Sequence, residues 1–290
     1  MLEKLRYIFN ELTKKFIINF FGVFGAFWLV IEFLSFLFVL FRDFITDHAA
    51  LTLLSVIIFS AILTIKINLP KTKIKRNFRA SNTSICIKVG DLLEEKGNIA
   101  IGVSDYFDTV INDPQSNSLK RQIIKKLFDE NLDLVDEQIT QSLKKQKIKG
   151  TNNPSKKYGK TKKYKIGTIA TLKQNNQKVF FLVLAQLIFD KKNRKFTEVD
   201  ISNFNKAISK LWNELYSNGN NKEISIPILG SGLSRMSISR LILIQTIIIS
   251  FVGFARSKKI TKQLNIIINK SNYSAIEFSE IQKFLNSLSF

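Results

Sequence analysis

From Phe16 to Phe41 the chain reads FIINFFGVFGAFWLVIEFLSFLFVLF, and Glu32 is its only ionisable residue. No polar stripe recurs at helical spacing, as it would on a core helix of a water-soluble domain. A bilayer core of ~30 Å takes about 20 apolar residues as a helix, so the pattern predicts a membrane span over 16–41. A second apolar run, AALTLLSVIIFSAILTIKI, predicts another span over 49–67, with Lys66 able to reach the interface. Arg42 to His48 is too short for a domain, and the pair reads as a helical hairpin within an N-terminal segment 1–70. The run is too long for the apolar region of a cleaved signal peptide, and a second follows at once.

Beyond Pro70 the pattern changes. Residues 71–83 read as a basic linker, opening with KTKIKRNFR, attracted to anionic lipid. Short β-branched runs then predict strands at Ser84–Val89, Asn98–Val103, Ile166–Leu172, Lys178–Ala185, Glu223–Leu229 and Leu264–Asn269. Helical periodicity covers Ser118 to Lys145 with a break near Asn131. It returns at Val199–Tyr216 with Thr197 as N-cap, at Ser237–Phe254 and at Glu277–Leu288. Strands alternating with helices predict an α/β domain over 84–290, a mixed sheet flanked by helices. Lys144 to Lys165 is a very basic polar stretch with Gly, Asn and Pro, read as a loop.

Charge sharpens the picture. The chain of 290 residues carries a net charge of +21, which calls for anionic partners: lipid head groups, a phosphorylated ligand or nucleic acid. Lys4, Arg6, Lys14 and Lys15 precede the first span and Lys66, Lys71, Lys73, Lys75 and Arg76 follow the second, while the hairpin turn balances Arg42 with Asp43 and Asp47. By the positive-inside rule both termini and the α/β domain lie in the cytoplasm, the chain crossing the membrane twice. Glu32 inside a span either serves function or reaches the interface from a tilted helix. Gly22 and Gly25 do not have the spacing of a small-residue dimer motif.

The single cysteine, Cys86, and single histidine, His48, bound the chemistry. They exclude an intramolecular disulfide, a cysteine-based zinc site, and a Ser-His-Asp or Cys-His arrangement in the α/β region. No cofactor or metal is expected. The sharpest local feature is Ile226-Pro-Ile-Leu-Gly-Ser-Gly-Leu-Ser-Arg235, a strand running through Gly-Ser-Gly toward a helix. Glycines let the backbone approach a ligand, and a helix N-terminus favours an anion, so the junction suits a phosphate or diphosphate. Arg235 could pair with it.

A strand followed by Gly90-Asp91-Leu92-Leu93, a second strand, and much later IPILGSGLSR together resemble a macro domain. The stretch Gly97-Asn-Ile-Ala-Ile-Gly-Val-Ser-Asp-Tyr-Phe-Asp-Thr109 with a preceding hairpin resembles a narrower group, the transmembrane–macro effectors of Thoeris antiphage systems, ThsA proteins of macro-domain type. The resemblance implies that Asp91, with Leu92 beside it, contacts adenine. It implies that Gly230, Ser231, Gly232 and Leu233 wrap the diphosphate of an ADP-ribose derivative, with Ser234 and Arg235 next to them. Ser104, Asp105 and Asp108 follow the second strand, where hydrolases of the family carry asparagines and a glycine run. That departure argues against hydrolysis and leaves Asp105 and Asp108 to bind the distal ribose, to bind a cationic group on it, or to cap the loop.

The resemblance further implies a receptor–effector of antiphage defence. A TIR-domain partner would make the signal from NAD as a histidine conjugate of ADP-ribose. Its binding would drive homo-oligomerisation and disruption of the bilayer. A membrane-tethered hydrolase of ADP-ribose derivatives is the alternative. A nucleic-acid binder is disfavoured, because the lysine-rich stretch interleaves only Tyr158 and Tyr164.

Overall fold

The computed structural model describes residues 2–68, 72–78, 81–109, 118–156, 159–189, 195–232, 238–269 and 275–288. Leu233, Ser234 and Arg235 lie outside them. The chain forms two compact units, Met1–Pro70 and Lys71–Phe290.

The first unit is three helices, α1 (Leu2–Leu37), α2 (Val39–Asp47) and α3 (Ala49–Asn68). Thr13–Leu37 and Ala49–Asn68 are long and apolar enough to cross a membrane. α1 and α3 run antiparallel, with Asn19 Nδ2 donating to Asn68 Oδ1 at 3.0 Å and the Phe27 and Phe59 rings edge to face at 5.1 Å. The inward stripe of α3 is Val56, Ser60 and Thr64, four residues apart and all buried. Small side chains there let the two backbones approach. The outer surface stays apolar, with Phe33, Phe36, Leu51 and Ile58 exposed, and Glu32 is exposed among them. Two details depart from the hairpin read in the sequence. The first helix is interrupted at Phe38, whose backbone is extended (φ −123°, ψ 110°), although no proline or glycine stands there. The stretch expected as a linker is instead the short helix α2, closed by the His48 N–H donating to the Phe44 carbonyl at 3.1 Å.

The second unit is built on a mixed sheet. Its strands are β1 (Lys73–Phe78), β2 (Thr83–Val89), β3 (Asn98–Ser104), β6 (Ile169–Gln174), β7 (Gln177–Phe189), β8 (Lys195–Glu198), β9 (Ile224–Pro227) and β10 (Gln263–Ile268). β4 (Thr151–Asn152) and β5 (Lys162–Lys163) form a separate small ribbon. The sheet order is β1-β2-β10-β9-β3-β7-β6, with β8 paired to the far end of β7. β2, β10, β9, β3 and β7 are mutually parallel, and β1 and β6 are antiparallel edges. Two residue periods explain the layers. Ile85, Ile87, Ala100, Ile224, Ile226, Leu264 and Ile266 point to one face, under helices α6 (Ile201–Asn218), α7 (Arg240–Ala255) and α8 (Ala275–Ser287). Ile99, Ile101, Val103, Phe181 and Val183 point to the other, under α4 (Leu119–Leu127) and α5 (Leu132–Lys145).

Two expectations are corrected here. Residues 73–78, expected within a linker, are an edge strand: Ile74 and Phe78 alternate into the core while Lys73 and Lys75 face out. A half-buried edge strand needs few apolar residues, here two on the inward face four positions apart, and lysines protect an edge from further pairing. The N-cap of α6 is Asp200, whose Oδ1 accepts from Asn203 N at 2.7 Å; Thr197 pairs in β8 with Leu187. The other edge is protected differently. Along α5, Gln138, Ser142 and Gln146 stand four apart and bond the backbone of β6. Gln138 both accepts from Lys173 N (2.7 Å) and donates to Lys173 O (3.1 Å). Ser142 Oγ accepts from Thr171 N (2.8 Å), and Gln146 donates to Ile169 O (3.0 Å). A helix thus supplies the partners that a neighbouring strand would.

Candidate functional site

Because five neighbouring strands are parallel, their carboxyl ends open at one edge, the place where open α/β sheets bind ligands. Val89 leads there into Gly90-Asp91, Pro227 into Ile228-Leu229-Gly230-Ser231-Gly232, Ile268 into Asn269, and Ser104 into Asp105. β10 lies between β2 and β9, so Asp91 and the glycine loop stand two strand spacings apart, ~9.6 Å.

Each piece has a local cause. Asp91 caps the single 3-10 turn Leu92–Glu94, its Oδ1 accepting from Leu93 N at 2.9 Å, and its side chain is exposed. Leu92 is buried in the core beneath. Gly90 N–H donates to Ile268 O at 3.0 Å, tying this turn to β10. Gly230 is buried with φ +85°, a conformation costly for any residue with a Cβ. It lets the chain reverse so that Ser231 bonds back to the Ile228 carbonyl through both its N–H (3.2 Å) and its Oγ (2.7 Å). Gly232 is exposed, and a Cβ there would meet nothing within 4 Å, so open space lies over the loop. Helix α7 starts at Arg240, capped by Ser239, later than the sequence pattern places it.

The far side of the edge is built from the polar loop after β3. Ser104 sits at a register shift of the β3–β7 ladder, opposite Ala185. Asp105 is fully buried: its N–H donates to Ala185 O (3.0 Å), and its Oδ1 accepts from Leu187 N (3.1 Å), which bridges the irregularity. Its other oxygen lies 3.5 Å from Lys163 Nζ. Burial pushes the Asp105 carboxyl above the usual range, opposed by the Leu187 N–H and by Lys163. Tyr106 and Phe107 are buried, and Phe107 holds φ +50°, a strained position for a bulky residue.

Asp108 is engaged as well. Its Oδ1 accepts from Lys156 Nζ (2.9 Å) and from the Lys160 N–H (2.8 Å), and its carbonyl accepts from Lys120 Nζ. Lys156 is buried, donates also to Lys160 O (2.7 Å), and stands 4.7 Å over the Tyr106 ring. Asp136 of α5 holds Lys160 Nζ at 2.5 Å and the Thr109 hydroxyl at 2.7 Å. Asn153 donates to Tyr106 Oη at 2.7 Å, and Tyr164 N–H donates to Asp105 O at 2.7 Å. Gly159 makes the approach possible: at φ +74°, a Cβ would sit 2.5 Å from Asp108 Oδ1. Within the basic stretch read as a loop, Lys156, Lys160 and Lys163 are therefore held by Asp108, Asp136 and Asp105, while Lys147, Lys149, Lys162 and Lys165 stay exposed. Desolvation of several lysines here is offset by carboxylates and by one ring face. No spacing pattern signals these pairings, which join residues 24 to 58 positions apart, and nothing local marks Asp136 or Lys156.

Residues 85–269 match the family described as Thoeris protein ThsA, Macro domain. Thoeris protein ThsA of Bacillus amyloliquefaciens (strain Y2) is 27% identical over 216 residues, covering 70% of this chain and 68% of that protein. Among solved structures, the Oceanobacillus iheyensis macrodomain with ADP superposes with a TM-score of 0.50 at 12% identity, over 75% of this chain and 98% of that one. A mutant of the same macrodomain gives 0.50 at 12% identity over 74% and 94%. At such identity the likeness concerns the fold, a macro-type mixed sheet flanked by helices. With its parallel strands opening onto a GDLL turn and a Gly-Ser-Gly loop, and with 85–269 matched throughout, the chain belongs to the ThsA macro-domain family of Thoeris proteins.

Proposed function

We propose that the α/β unit is a receptor for an ADP-ribose-derived nucleotide and that the apolar hairpin is the membrane effector it controls, in antiphage defence. One observation carries the reading: Asp91 and the Gly230–Gly232 loop flank β10 at the open carboxyl edge, a separation that fits an adenine at one end and a diphosphate at the other. Family membership supports the same ligand class, and a macrodomain of like fold carries ADP. Asp91 takes the adenine amine with Leu92 beneath it. Gly230, Ser231 and Gly232, continuing to Leu233, Ser234 and Arg235, hold the diphosphate with inward N–H groups. Ser104 lines the ribose side, while Asp105 and Asp108 act indirectly by fixing the lysine-rich segment. The signal is a histidine conjugate of ADP-ribose released from NAD by a TIR-domain partner. Its binding favours an assembled state, as differential affinity requires. In that state α1 and α3 breach the inner membrane, with the α/β unit on the cytoplasmic side.

The test is dye release from vesicles holding the full chain. Release on adding the conjugate, with the conjugate recovered intact by chromatography, supports receptor and effector together. A conjugate recovered cleaved makes the chain a tethered hydrolase; binding without release removes the effector role.

A further inference from the structure

We propose that the outward face of the edge strand β1, with Lys88 of β2 beside it, is a lipid-facing surface that rests on anionic phospholipid head groups. This rests on the reading of the hairpin as membrane-embedded.

The two strands pair antiparallel, which sets three side-chain pairs on this face: Lys73 opposite the half-buried Lys88, Lys75 opposite Cys86, and Asn77 opposite Ser84, the last two β2 residues being buried. Ile74, Phe78, Ile85 and Ile87 turn the other way into the core. Arg76 turns with them and donates to Asn286 Oδ1 (3.0 Å) and the Leu288 carbonyl (3.1 Å). On the open face, α4 and α5 pack over β3, β7 and β6, and the crossover 90–97 covers β9 and β10, where Leu92 is buried and Glu95 bonds Ser225 Oγ at 3.1 Å. Lys73, Lys75 and Asn77 stay exposed.

Three features fit a head-group layer. Like charges directly opposite across strands are destabilising, yet Lys73 faces Lys88. Only Lys88 has a carboxylate, Glu95 at 2.8 Å, and no ion pair of Lys73 or Lys75 is found among the described residues. A rule broken at a polar surface points to a partner that supplies the missing charge. Second, no large apolar side chain of β1 or β2 is exposed, so the face offers nothing to an apolar protein surface. Third, the tether is short: from Asn68 at the end of α3 to Lys73 is five peptide steps, at most about 18 Å at full stretch. Each lysine near an anionic surface is worth roughly fivefold in partition.

The experiment uses the full chain with Asn77→Cys in a Cys86→Ser background, nitroxide-labelled at residue 77. It is reconstituted into vesicles of phosphatidylcholine alone or with phosphatidylglycerol. Alkaline carbonate washing comes first: a chain washed away overturns the anchoring and this proposal with it. In retained chain, collision of the nitroxide with a water-soluble nickel chelate is expected to fall when phosphatidylglycerol is present. The fall should vanish at ~1 M salt, where the screening length is ~3 Å. Lys73→Glu with Lys75→Glu should abolish it, and the unaltered lysines with salt keep the test open should that variant misfold. Equal collision in both lipids overturns the lipid surface alone. Shielding by duplex DNA in the absence of anionic lipid assigns the face to nucleic acid and overturns it too.

Discussion

Asp108→Ala separates a structural carboxylate from a ligand contact. In the structure Asp108 accepts from Lys156 Nζ at 2.9 Å and from the Lys160 N–H at 2.8 Å, and the Lys156 side chain is 2% exposed. Removing one partner of a buried pair costs about 3–5 kcal/mol, because the other charge is left uncompensated. Lys156 keeps the Lys160 carbonyl and the Tyr106 ring, so the lower end applies, about 3 kcal/mol. Lys156→Met should cost only about 1 kcal/mol, since Asp108 keeps the Lys160 N–H and reaches water. The double variant should cost no more than about 2 kcal/mol, which leaves a coupling of about 2 kcal/mol. Urea unfolding in detergent reads this through Trp212, buried and donating to Ser250 Oγ at 2.9 Å, in a Trp28→Phe background. Hydrogen exchange should rise across 150–165. Unchanged stability with a collapse of nucleotide affinity would refute the reasoning and return Asp108 to the ligand.

Other perturbations read other parts of the account. Gly232→Ala should leave stability within ~0.5 kcal/mol, as a Cβ meets nothing there, while Gly232→Glu should abolish nucleotide binding in calorimetry by setting charge against the diphosphate. Truncating Gln138, Ser142 and Gln146 to Ala strips the β6 edge of its partners; about 1 kcal/mol per lost bond and concentration-dependent association in gel filtration are expected. The Asp105 carboxyl is raised by burial, so its contribution to stability is full below the ordinary value of ~3.9 and is lost as pH rises through the raised one. Asp105→Asn removes that component, and its melting temperature relative to the unaltered chain should rise with pH through the weakly acidic range.

The parts of this protein written in local pattern were legible in its sequence. Two-residue alternation and continuous β-branched runs marked β2, β3, β7, β9 and β10 to within a few residues, because buried parallel strands need apolar residues on both faces. The break near Asn131 separates α4 from α5, and Asn131 caps the second, its Oδ1 accepting from Leu134 N at 3.0 Å. The glycine loop and the GDLL turn were visible because both answer to backbone geometry at fixed positions. What escaped was set by distant partners. β1 has only Ile74 and Phe78 to signal it and becomes a strand because β2 offers an edge. The lysine-rich stretch read as a loop with no partner marked for it, and only the fold brings Asp105, Asp108 and Asp136 to three of its lysines. The same carboxylates looked available to a ligand for the same reason. The interruption at Phe38 has no residue that announces it.

Every functional step proposed above depends on the carboxyl edge binding an ADP-ribose-type nucleotide through the Asp91 turn and the glycine loop. Calorimetric titration of the full chain in detergent with ADP-ribose and with its histidine conjugate tests it most directly, with Asp91→Ala and Gly232→Glu beside it. Saturable binding is expected, tighter for the conjugate, weakened by Asp91→Ala and lost in Gly232→Glu. Absence of heat with both nucleotides, or affinity untouched by both substitutions, would contradict it.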